Sequence, residues 1–404
     1  MIVKIEKSTA SGNITAPPSK SMAHRFLIAS AMCEGVSHIS GISSCEDVLA
    51  TIDCLRALGA KIDYEGDRVT VRGTDLRRSK PSEALQCRES GSTLRFLIPT
   101  ALLSGNETLL TGATRLIERP HGIYEELCRD NGMIFKKAEY GILVKGPMKS
   151  GEYRLRGDVS SQFITGLLFA LPLLEGDSKI IMTTKIESRS YIELTLSAIR
   201  SFGIRAEWYD DRTIYVPGEQ KYISRDIAVE GDYSGAAFIE SFSLFGGNVK
   251  MDGLREDSLQ GDRVYREYFK ALASGMPTIN IEDCPDLGPI LFTVAAAKNG
   301  AVFEGTKRLK IKESDRAEAM AEELRKFGAE LTVEENRVTV KPAKLHAPNG
   351  ILSSHNDHRI VMSLSILASL YGGEIEGAEA VRKSYPGFFG DIKLLGIKAD
   401  TYEA

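Results

Sequence analysis

Several features that mark other kinds of protein are missing from this sequence. Its six cysteines include no CxxC pair and no secretory signal precedes them, so we expect reduced thiols in a cytoplasmic protein. No apolar run is long enough to span a membrane, because even FITGLLFALPLL is interrupted by Pro172 and stops at Glu175. The formal net charge is only -4, and no basic patch is interleaved with aromatic residues. We therefore expect neither a membrane nor a nucleic-acid partner.

Motifs of nucleotide and metal chemistry are also missing. There is no GxxxxGK[ST] phosphate loop and no GxGxxG fingerprint, which argues against nucleotide kinases and simple dinucleotide enzymes. His355 and His358 lie three residues apart with Asp357 between them, so a metal site there is an open alternative. Because no third and fourth ligand is evident nearby, we expect no metal and no cofactor.

What the sequence does contain is an internal repeat marked by two series of glycines. The first series ends long apolar helices and consists of Gly35, Gly105, Gly176, Gly247, Gly300 and Gly373. The second series ends more polar helices and consists of Gly59, Gly132, Gly203, Gly275, Gly328 and Gly396. Successive members are 70, 71, 71, 53 and 73 residues apart in the first series and 73, 71, 72, 53 and 68 apart in the second. Two markers in one register indicate a true repeat, and a glycine after a helix predicts a left-handed cap.

The repeat predicts an α/β fold. Each unit reads as helix, strand, helix, strand, turn, strand, and such alternation implies crossover connections with largely parallel pairing. The first 15 residues look like strands, so we expect the N-terminus to complete the sixth unit. If three units form one globule, a discontinuous domain comprises residues 1–18 and 231–404, and a second domain comprises 19–230.

Cations at the start of the apolar helices point to a function. Serine, threonine and aspartate at these positions are explained by helix capping, but the basic residues are not: they are Lys20, Arg25, Arg95, His358 and Arg359. A helix N-terminus carries partial positive charge, so a cation there costs about 0.3 to 1 kcal/mol unless an anion joins it. We expect an anion-binding cleft between the two domains, with plain solvent exposure of these cations as the alternative.

The loop of the fifth unit adds further charges. Lys312 and Arg316 are spaced to lie one helical turn apart on a shared face, with Glu313 beside them. The alternative is a capped, salt-bridged surface helix. The equivalent position in the repeat favours the binding interpretation.

Short motifs along nearly the whole chain resemble those of the 5-enolpyruvylshikimate-3-phosphate synthases. They are PSKSMAHR (18–25), SGSTLRF (90–96), ERP (118–120), SSQF (160–163), KESDR (312–316), NDHR (356–359) and KSYPGFF (383–389). The resemblance implies the two-domain enolpyruvyl transferase fold, with six βαβαββ units, three per domain. It also implies transfer of the enolpyruvyl group of phosphoenolpyruvate to the 5-hydroxyl of shikimate 3-phosphate, with release of phosphate, in the shikimate pathway to chorismate and the aromatic amino acids.

The resemblance also implies roles for individual residues. Those that contact phosphoenolpyruvate are Lys20, Gly91, Arg119, Gln162, Arg316, Arg359 and Lys383. Those that contact shikimate 3-phosphate are Lys20, Ser21, Arg25, Ser160, Ser161, Gln162, Ser188, Tyr191, Asp286 and Lys312. Asp286 is the candidate base for the hydroxyl, while Glu313 and Lys20 are candidates for proton transfer at the enolpyruvyl carbon. Which group performs each step stays open, and Asp286 could instead cap a helix at 287–298.

Two other functions stay open. UDP-N-acetylglucosamine enolpyruvyl transferases share the fold, but they usually carry a reactive cysteine where this chain has Thr114 and an asparagine where it has Ser21. Both differences favour the shikimate branch. An inactive repeat scaffold predicts loss of the charged residues, and all of them are present. We expect a monomer that acts on two small-molecule substrates.

Some positions depart from the family pattern. Glu89 and Ser90 stand where many members have asparagine and alanine, and Arg308 replaces an asparagine found in some members. An anion near the phosphoenolpyruvate site should weaken binding unless Glu89 is turned away or paired, for example with Arg88. Sensitivity to glyphosate, which competes with phosphoenolpyruvate in this family, is therefore open.

Overall fold

The computed structural model describes residues 1–403, and its internal contacts divide the chain into two compact units. The discontinuous unit consists of Met1–Ser19 and Gly231–Ala404, and the continuous unit consists of Lys20–Glu230. Ser19 therefore groups with the discontinuous unit.

The chain begins with two strands of the discontinuous unit, β1 (Ile2–Ile5) and β2 (Ser11–Thr15). The continuous unit follows and contains seven α-helices and twelve strands. Their bounds are α1 (Lys20–Ala31), β3 (Val36–Ser40), α2 (Glu46–Ala57), β4 (Lys61–Glu65), β5 (Arg68–Arg72), β6 (Leu85–Gln86), α3 (Gly91–Leu102), β7 (Glu107–Thr111), α4 (Thr114–Glu118), α5 (Gly122–Asp130), β8 (Ile134–Ala138), β9 (Gly141–Lys145), β10 (Glu152–Leu155), α6 (Ser161–Ala170), β11 (Ser178–Met182), α7 (Arg189–Ser201), β12 (Glu207–Asp210), β13 (Thr213–Val216) and β14 (Asp226–Ala228).

The remainder of the chain completes the discontinuous unit. Its elements are α8 (Tyr233–Ser241), β15 (Asn248–Asp252), α9 (Tyr265–Ser274), β16 (Thr278–Asn280), α10 (Gly288–Ala297), β17 (Ala301–Glu304), α11 (Arg316–Lys326), β18 (Glu330–Glu334), β19 (Arg337–Lys341), β20 (Leu352–Ser353), α12 (His358–Tyr371), β21 (Gly373–Glu376), α13 (Phe388–Leu394) and β22 (Ala399–Tyr402). Short 3-10 turns at Pro285–Leu287, Lys307–Ile311 and Ala378–Lys383 carry residues of interest.

The continuous unit contains three four-stranded sheets of one topology. Their strand orders are β14-β3-β5-β4, β6-β7-β9-β8 and β10-β11-β13-β12. The first pair of each sheet is parallel and the other pairs are antiparallel. An apolar helix crosses over between β6 and β7, and another between β10 and β11, as parallel pairing requires. Each of these helices therefore begins where its preceding strand ends, which places helix N-termini at the carboxyl ends of the parallel strands.

The discontinuous unit repeats this topology twice, in the sheets β16-β17-β19-β18 and β20-β21-β1-β22. Strand β1 pairs antiparallel with both β21 and β22, which confirms that the N-terminus completes the sixth unit. The fourth unit differs, because its sheet contains only β15 and β2. Just three residues separate α9 from β16, too few for the closing hairpin. The missing hairpin accounts for the step of 53 residues in both glycine series.

Sequence pattern decides how each helix is buried. Helix α10 is apolar on all sides, and it is buried from Gly288 to Ala296. Helix α9 is amphipathic, with Tyr265, Phe269 and Leu272 buried at spacings of four and three. Each unit has its own apolar core. Within residues 1–403, no helix has both the length and the hydropathy that crossing a membrane requires.

The glycines do not all act as left-handed caps. In the second series the prediction is confirmed at Gly59, Gly132, Gly203, Gly328 and Gly396, with φ between +69° and +112°. Gly275 is extended, with φ 174°. In the first series the prediction was wrong for Gly105, Gly176 and Gly247, none of which has a positive φ. Close approach explains Gly247, since a Cβ there would lie 2.7 Å from the carbonyl oxygen of Ala10.

Candidate active site

Three apolar helices of the continuous unit begin with predicted site residues. Lys20 is the first residue of α1, Gly91 of α3 and Ser161 of α6. Ser160 caps α6 by accepting a hydrogen bond from the amide of Gln162 at 3.3 Å, and Ser90 caps α3 in the same way. The local sequence thus places first-turn backbone N–H groups, which lack intrahelical partners, at the starts of these helices, and such groups suit anionic ligands.

Gly91, Arg119 and Gln162 lie together. A Cβ at Gly91 would lie 2.8 Å from Nη1 of Arg119 and 3.7 Å from Oε1 of Gln162, so only glycine leaves the guanidinium in place. Arg95 donates from Nη1 to Oε1 of Gln162 at 2.8 Å, and Nε2 of Gln162 donates to Oγ of Ser92 at 3.0 Å. The amide of Gln162 is therefore held in one orientation.

Arg25 joins the start of α1 to α7. Its guanidinium donates to the carbonyl oxygen of Ser21 at 2.6 Å, to that of Tyr191 at 3.0 Å and to Oγ1 of Thr195 at 3.0 Å. Burial lowers the pKa of Arg25 to about 10, so the group still carries its charge at neutral pH. Ser188 precedes α7 in a left-handed conformation, with φ +56°.

Lys20 forms an ion pair that the sequence analysis did not predict. Its Nζ lies 2.8 Å from Oδ2 of Asp47, which belongs to the first turn of α2. Both side chains are largely buried, with 15% and 12% of their surface exposed. Asp47 therefore provides a countercharge for a cation at the start of α1.

Asp286 is the centre of a charge cluster in the discontinuous unit. Its Oδ1 accepts from Nζ of Lys312 at 3.1 Å and from Nη1 of Arg316 at 2.8 Å. Its Oδ2 accepts from Nη2 of Arg359 at 3.1 Å. The residue before α10 is Leu287, and α10 has no side-chain cap. The capping alternative for Asp286 is therefore wrong, because its carboxylate binds three cations instead.

These cations determine the charge state of Asp286. Burial alone would raise its pKa, but the charges of Arg359, Lys312 and Arg316 bring the pKa well below its ordinary value. Burial lowers the pKa of Lys312, and the charge of Asp286 opposes that effect. Asp286 is thus ionised and weakly basic as long as all three cations contact it.

Arg316 is the most enclosed member of this cluster, with 1% of its side chain exposed. Besides Asp286 it contacts Asp357 Oδ2 through Nε at 2.7 Å and Glu313 Oε2 through Nη2 at 2.6 Å. Burial acts to lower the pKa of Arg316, but Asp357, Glu313 and Asp286 raise it further than burial lowers it. The predicted shared helical face was wrong, since α11 begins only at Arg316 and Lys312 lies in the preceding loop. The two cations meet at Asp286 because the loop before α11 brings Lys312 to the same carboxylate oxygen that Arg316 contacts.

Lys383 and Arg359 extend the cluster. Nζ of Lys383 donates to the carbonyl oxygen of Asn356 at 2.6 Å. Nη1 of Arg359 donates to Oγ of Ser234 at 2.6 Å, and Ser234 also hydrogen-bonds the buried carboxyl of Asp262. Burial raises the pKa of Asp262 to about 6, and the nearby charge of Asp286 adds to the rise. No sequence motif marked Asp262 as a site residue. Ser234 could have been found, because it lies in the first turn of an apolar helix, as the predicted site residues of other units do.

The structure also shows the contacts of the residues that depart from the family pattern. Arg88 forms an ion pair with Asp53, with Nη2 at 2.7 Å from Oδ2. Glu89 is partly buried next to it in sequence. Arg308 is buried and donates to the backbone carbonyl of Glu282. Arg308 thus connects the loop before α11 to the segment before Asp286.

The two histidines of the metal alternative do not share a site. His355 lies within 4.8 Å, between ligand atoms, of Glu322 and Glu323, and these three residues could in principle hold an ion. Nζ of Lys326 contacts both carboxylate oxygens of Glu323, at 3.0 and 2.9 Å. A metal ion there would have to displace this ammonium group. His358 is buried beside Asp357, with Nδ1 at 3.8 Å from Oδ1.

Comparisons with known proteins agree with one another. A family model described as EPSP synthase (3-phosphoshikimate 1-carboxyvinyltransferase) matches residues 5–392. A protein of Clostridium kluyveri named 3-phosphoshikimate 1-carboxyvinyltransferase is 39% identical over 423 residues, covering 99% of this chain and 98% of the relative. One of the same name from Clostridium botulinum (strain Alaska E43) is 39% identical over 419 residues, covering 97% of each.

Solved structures agree in fold. A structure titled EPSP synthase from Acinetobacter baumannii matches with a TM-score of 0.80 at 23% identity, over all of both chains. Another, of the same enzyme and organism by its title, has a TM-score of 0.79 at 24% identity and covers 99% of this chain and all of that one. At this identity the likeness supports the fold alone, and it confirms the predicted two-domain α/β architecture.

Proposed function

This chain belongs to the EPSP synthase family, and we propose that it transfers the enolpyruvyl group of phosphoenolpyruvate to the 5-hydroxyl of shikimate 3-phosphate, releasing phosphate. It is an enzyme of the transferase class in the shikimate pathway. The observation that carries the proposal for its site is the convergence of Lys312, Arg316 and Arg359 on Asp286. We further propose a cytoplasmic, monomeric enzyme.

Each substrate brings a carboxylate and a phosphate, so the enzyme must bind several negative charges. Arginine suits this task because its planar guanidinium makes paired hydrogen bonds to such groups. We propose that phosphoenolpyruvate contacts Lys20, Gly91, Arg119, Gln162, Arg316, Arg359 and Lys383. We propose that shikimate 3-phosphate contacts Lys20, Ser21, Arg25, Ser160, Ser161, Gln162, Ser188, Tyr191, Asp286 and Lys312.

Substrate binding should change the basicity of Asp286. Without ligand, Lys312, Arg316 and Arg359 depress its pKa. A bound phosphate or carboxylate shares these cations, with each charge-assisted hydrogen bond contributing about 1.5 to 3 kcal/mol. The pKa of Asp286 then rises, so the carboxylate becomes a competent base only when the substrates are present.

The reaction then needs three proton transfers. Asp286 takes the proton of the 5-hydroxyl as the oxygen bonds to C2 of phosphoenolpyruvate, and Glu313 or Lys20 protonates the C3 methylene. Loss of a proton from the resulting C3 methyl group, back to the residue that protonated it, then restores the double bond as phosphate leaves C2. Glu313 is held for this role by its bond to Arg316, at 2.6 Å. No step requires a metal ion, since lysines and arginines supply the countercharge.

Phosphate release from phosphoenolpyruvate tests the proposal. The purified protein should release phosphate on addition of shikimate 3-phosphate, and it should do so equally after exhaustive chelation. Phosphate release with UDP-N-acetylglucosamine but not with shikimate 3-phosphate would identify the protein as a UDP-N-acetylglucosamine enolpyruvyl transferase. Absence of phosphate release with either acceptor would indicate an inactive scaffold. Activity lost on chelation and restored by one divalent ion would refute the metal-free mechanism.

A further inference from the structure

A strained turn connects β20 to α12. His355 and Asn356 are consecutive non-glycine residues in the left-handed region, with φ +47° and +53°. This conformation is uncommon for residues with a Cβ, although asparagine and histidine adopt it more often than most, and two such residues in succession need surroundings that hold them there. The turn therefore needs a specific contact that holds it.

The turn contacts three residues of the proposed phosphoenolpyruvate site. The carbonyl oxygen of Asn356 accepts from Lys383 Nζ at 2.6 Å. The carboxylate of Asp357 accepts from Nε of Arg316 at 2.7 Å and, as the cap of α12, from the amide of Arg359 at 2.9 Å. A shift of two adjacent residues would therefore disturb the ammonium group of Lys383, the guanidinium of Arg316 and the first turn of α12, which carries Arg359.

His355 connects this turn to α11. Its Nε2 lies 3.0 Å from Oε1 of Glu323, a carboxylate with no exposed surface. Lys326 holds both oxygens of Glu323, and the amide of Ser353 donates to Oε2 at 2.9 Å. Because Glu323 and Arg316 share the rigid helix α11, the turn is attached to that helix at two points: through His355 and through Asp357.

We propose that His355 is a positioning residue for phosphoenolpyruvate, since its bond to Glu323 holds the left-handed turn that orients Lys383, Arg316 and Arg359. The inference rests on the proposed function, which assigns these cations to phosphoenolpyruvate. The hydrogen bond to Glu323 also raises the pKa of His355, which favours the charged, doubly protonated ring.

Two substitutions separate this role from simple packing. His355→Leu removes the hydrogen-bond donor, whereas His355→Gln retains an uncharged one. His346→Leu is the matched control, because His346 is an exposed histidine of the same unit whose ring bonds the carbonyl oxygen of its neighbour Ala347 and whose backbone amide, which the substitution keeps, donates to Phe327. Steady-state kinetics with both substrates should be measured for all four proteins.

We expect His355→Leu to raise the KM for phosphoenolpyruvate about tenfold, the effect of weakening roughly one charge-assisted bond, with kcat and the KM for shikimate 3-phosphate nearly unchanged. His355→Gln should recover most of the loss, and His346→Leu should match the wild type. Equal KM values for His355→Leu and wild type would overturn the inference, as would a parallel loss for both substrates.

Hydrogen exchange provides a readout that does not depend on activity. The amide of Asp357 donates to the carbonyl of Ser354 at 2.9 Å within the turn. Exchange of amides 354–359 should accelerate in His355→Leu and return toward wild type in His355→Gln. Unchanged hydrogen exchange in His355→Leu would overturn the role of His355, whether or not the wild type is active. Failure of the wild type to release phosphate would refute only the proposed function.

Discussion

Replacing Asp286 with alanine removes the carboxylate that Lys312, Arg316 and Arg359 share. Removing one partner of a buried ion pair costs about 3 to 5 kcal/mol, because the other charge is left uncompensated. The side chain of Asp286 is 21% exposed, and Arg316 keeps Asp357 and Glu313 as partners. We therefore expect the lower end, about 3 kcal/mol of lost stability. For a domain of roughly 150 to 250 residues this corresponds to a fall of about 6 to 12 °C in melting temperature.

Added anions should reverse much of this loss. Phosphate can take the place of the missing carboxylate, so it should raise the melting temperature of Asp286→Ala more than that of the wild type. Thermal unfolding followed by circular dichroism, with and without phosphate, measures both effects. Asp283→Ala is the matched control, because it removes an exposed carboxylate three residues away. The pKa of Asp286 is depressed in the folded state, so its stabilisation is present at neutral pH and is lost only as pH falls through that lowered pKa.

Turnover on the same preparation tests the catalytic role. If Asp286 is the base, turnover should fall by about 100 to 10,000-fold, the usual effect of one positioned acid or base. An Asp286→Ala enzyme that melts like the wild type would refute the charge argument. A destabilised variant with full turnover in its folded fraction would refute the catalytic assignment.

Three further predictions follow from individual contacts. Gly91→Ala places a Cβ 2.8 Å from Nη1 of Arg119 and should therefore displace that guanidinium. The KM for phosphoenolpyruvate should rise about tenfold, while the KM for shikimate 3-phosphate stays constant. Equal increases in both KM values would contradict this geometry. Asp262→Asn should gain stability relative to wild type as pH rises from about 4 to 7, because the raised pKa of Asp262, about 6, makes ionisation of its carboxyl costly in the folded state. The gain in the free energy of unfolding, measured in urea, should reach about 3 kcal/mol. A stability difference independent of pH would show that the argument fails. Glu313→Ala should slow exchange of solvent hydrogen into C3 of phosphoenolpyruvate, and exchange at the wild-type rate would exclude Glu313 as the acid there.

The repeat illustrates what local signals can predict. Glycine spacing and strand-helix alternation indicated six units, and the parallel pairs of the sheets agree with them. These signals work because crossovers, hairpins and caps depend on residues close in sequence. The missing hairpin of the fourth unit was visible only as a step of 53 residues, whose cause became clear from the three residues between α9 and β16.

The site shows the limit of such signals. Motifs identified Lys312, Arg316 and Arg359 as site residues, yet a shared helical face was the wrong reason for grouping Lys312 with Arg316. They meet because each reaches Asp286, between 26 and 73 residues away in the chain. No sequence motif marked Asp47 or Asp262. Asp47 forms an ion pair with Lys20, and Asp262 hydrogen-bonds the serine that contacts Arg359.

The sequence by itself determined the periodic architecture, the family and the identity of the charged groups, since periodicity, caps and motif residues are properties of local segments. Only the tertiary structure decided the charge state of those groups. A pKa depends on burial and on charges within a few ångströms, and for Asp286 both come from residues distant in sequence. The strained turn at His355 likewise became meaningful only when its contact with Glu323 was known.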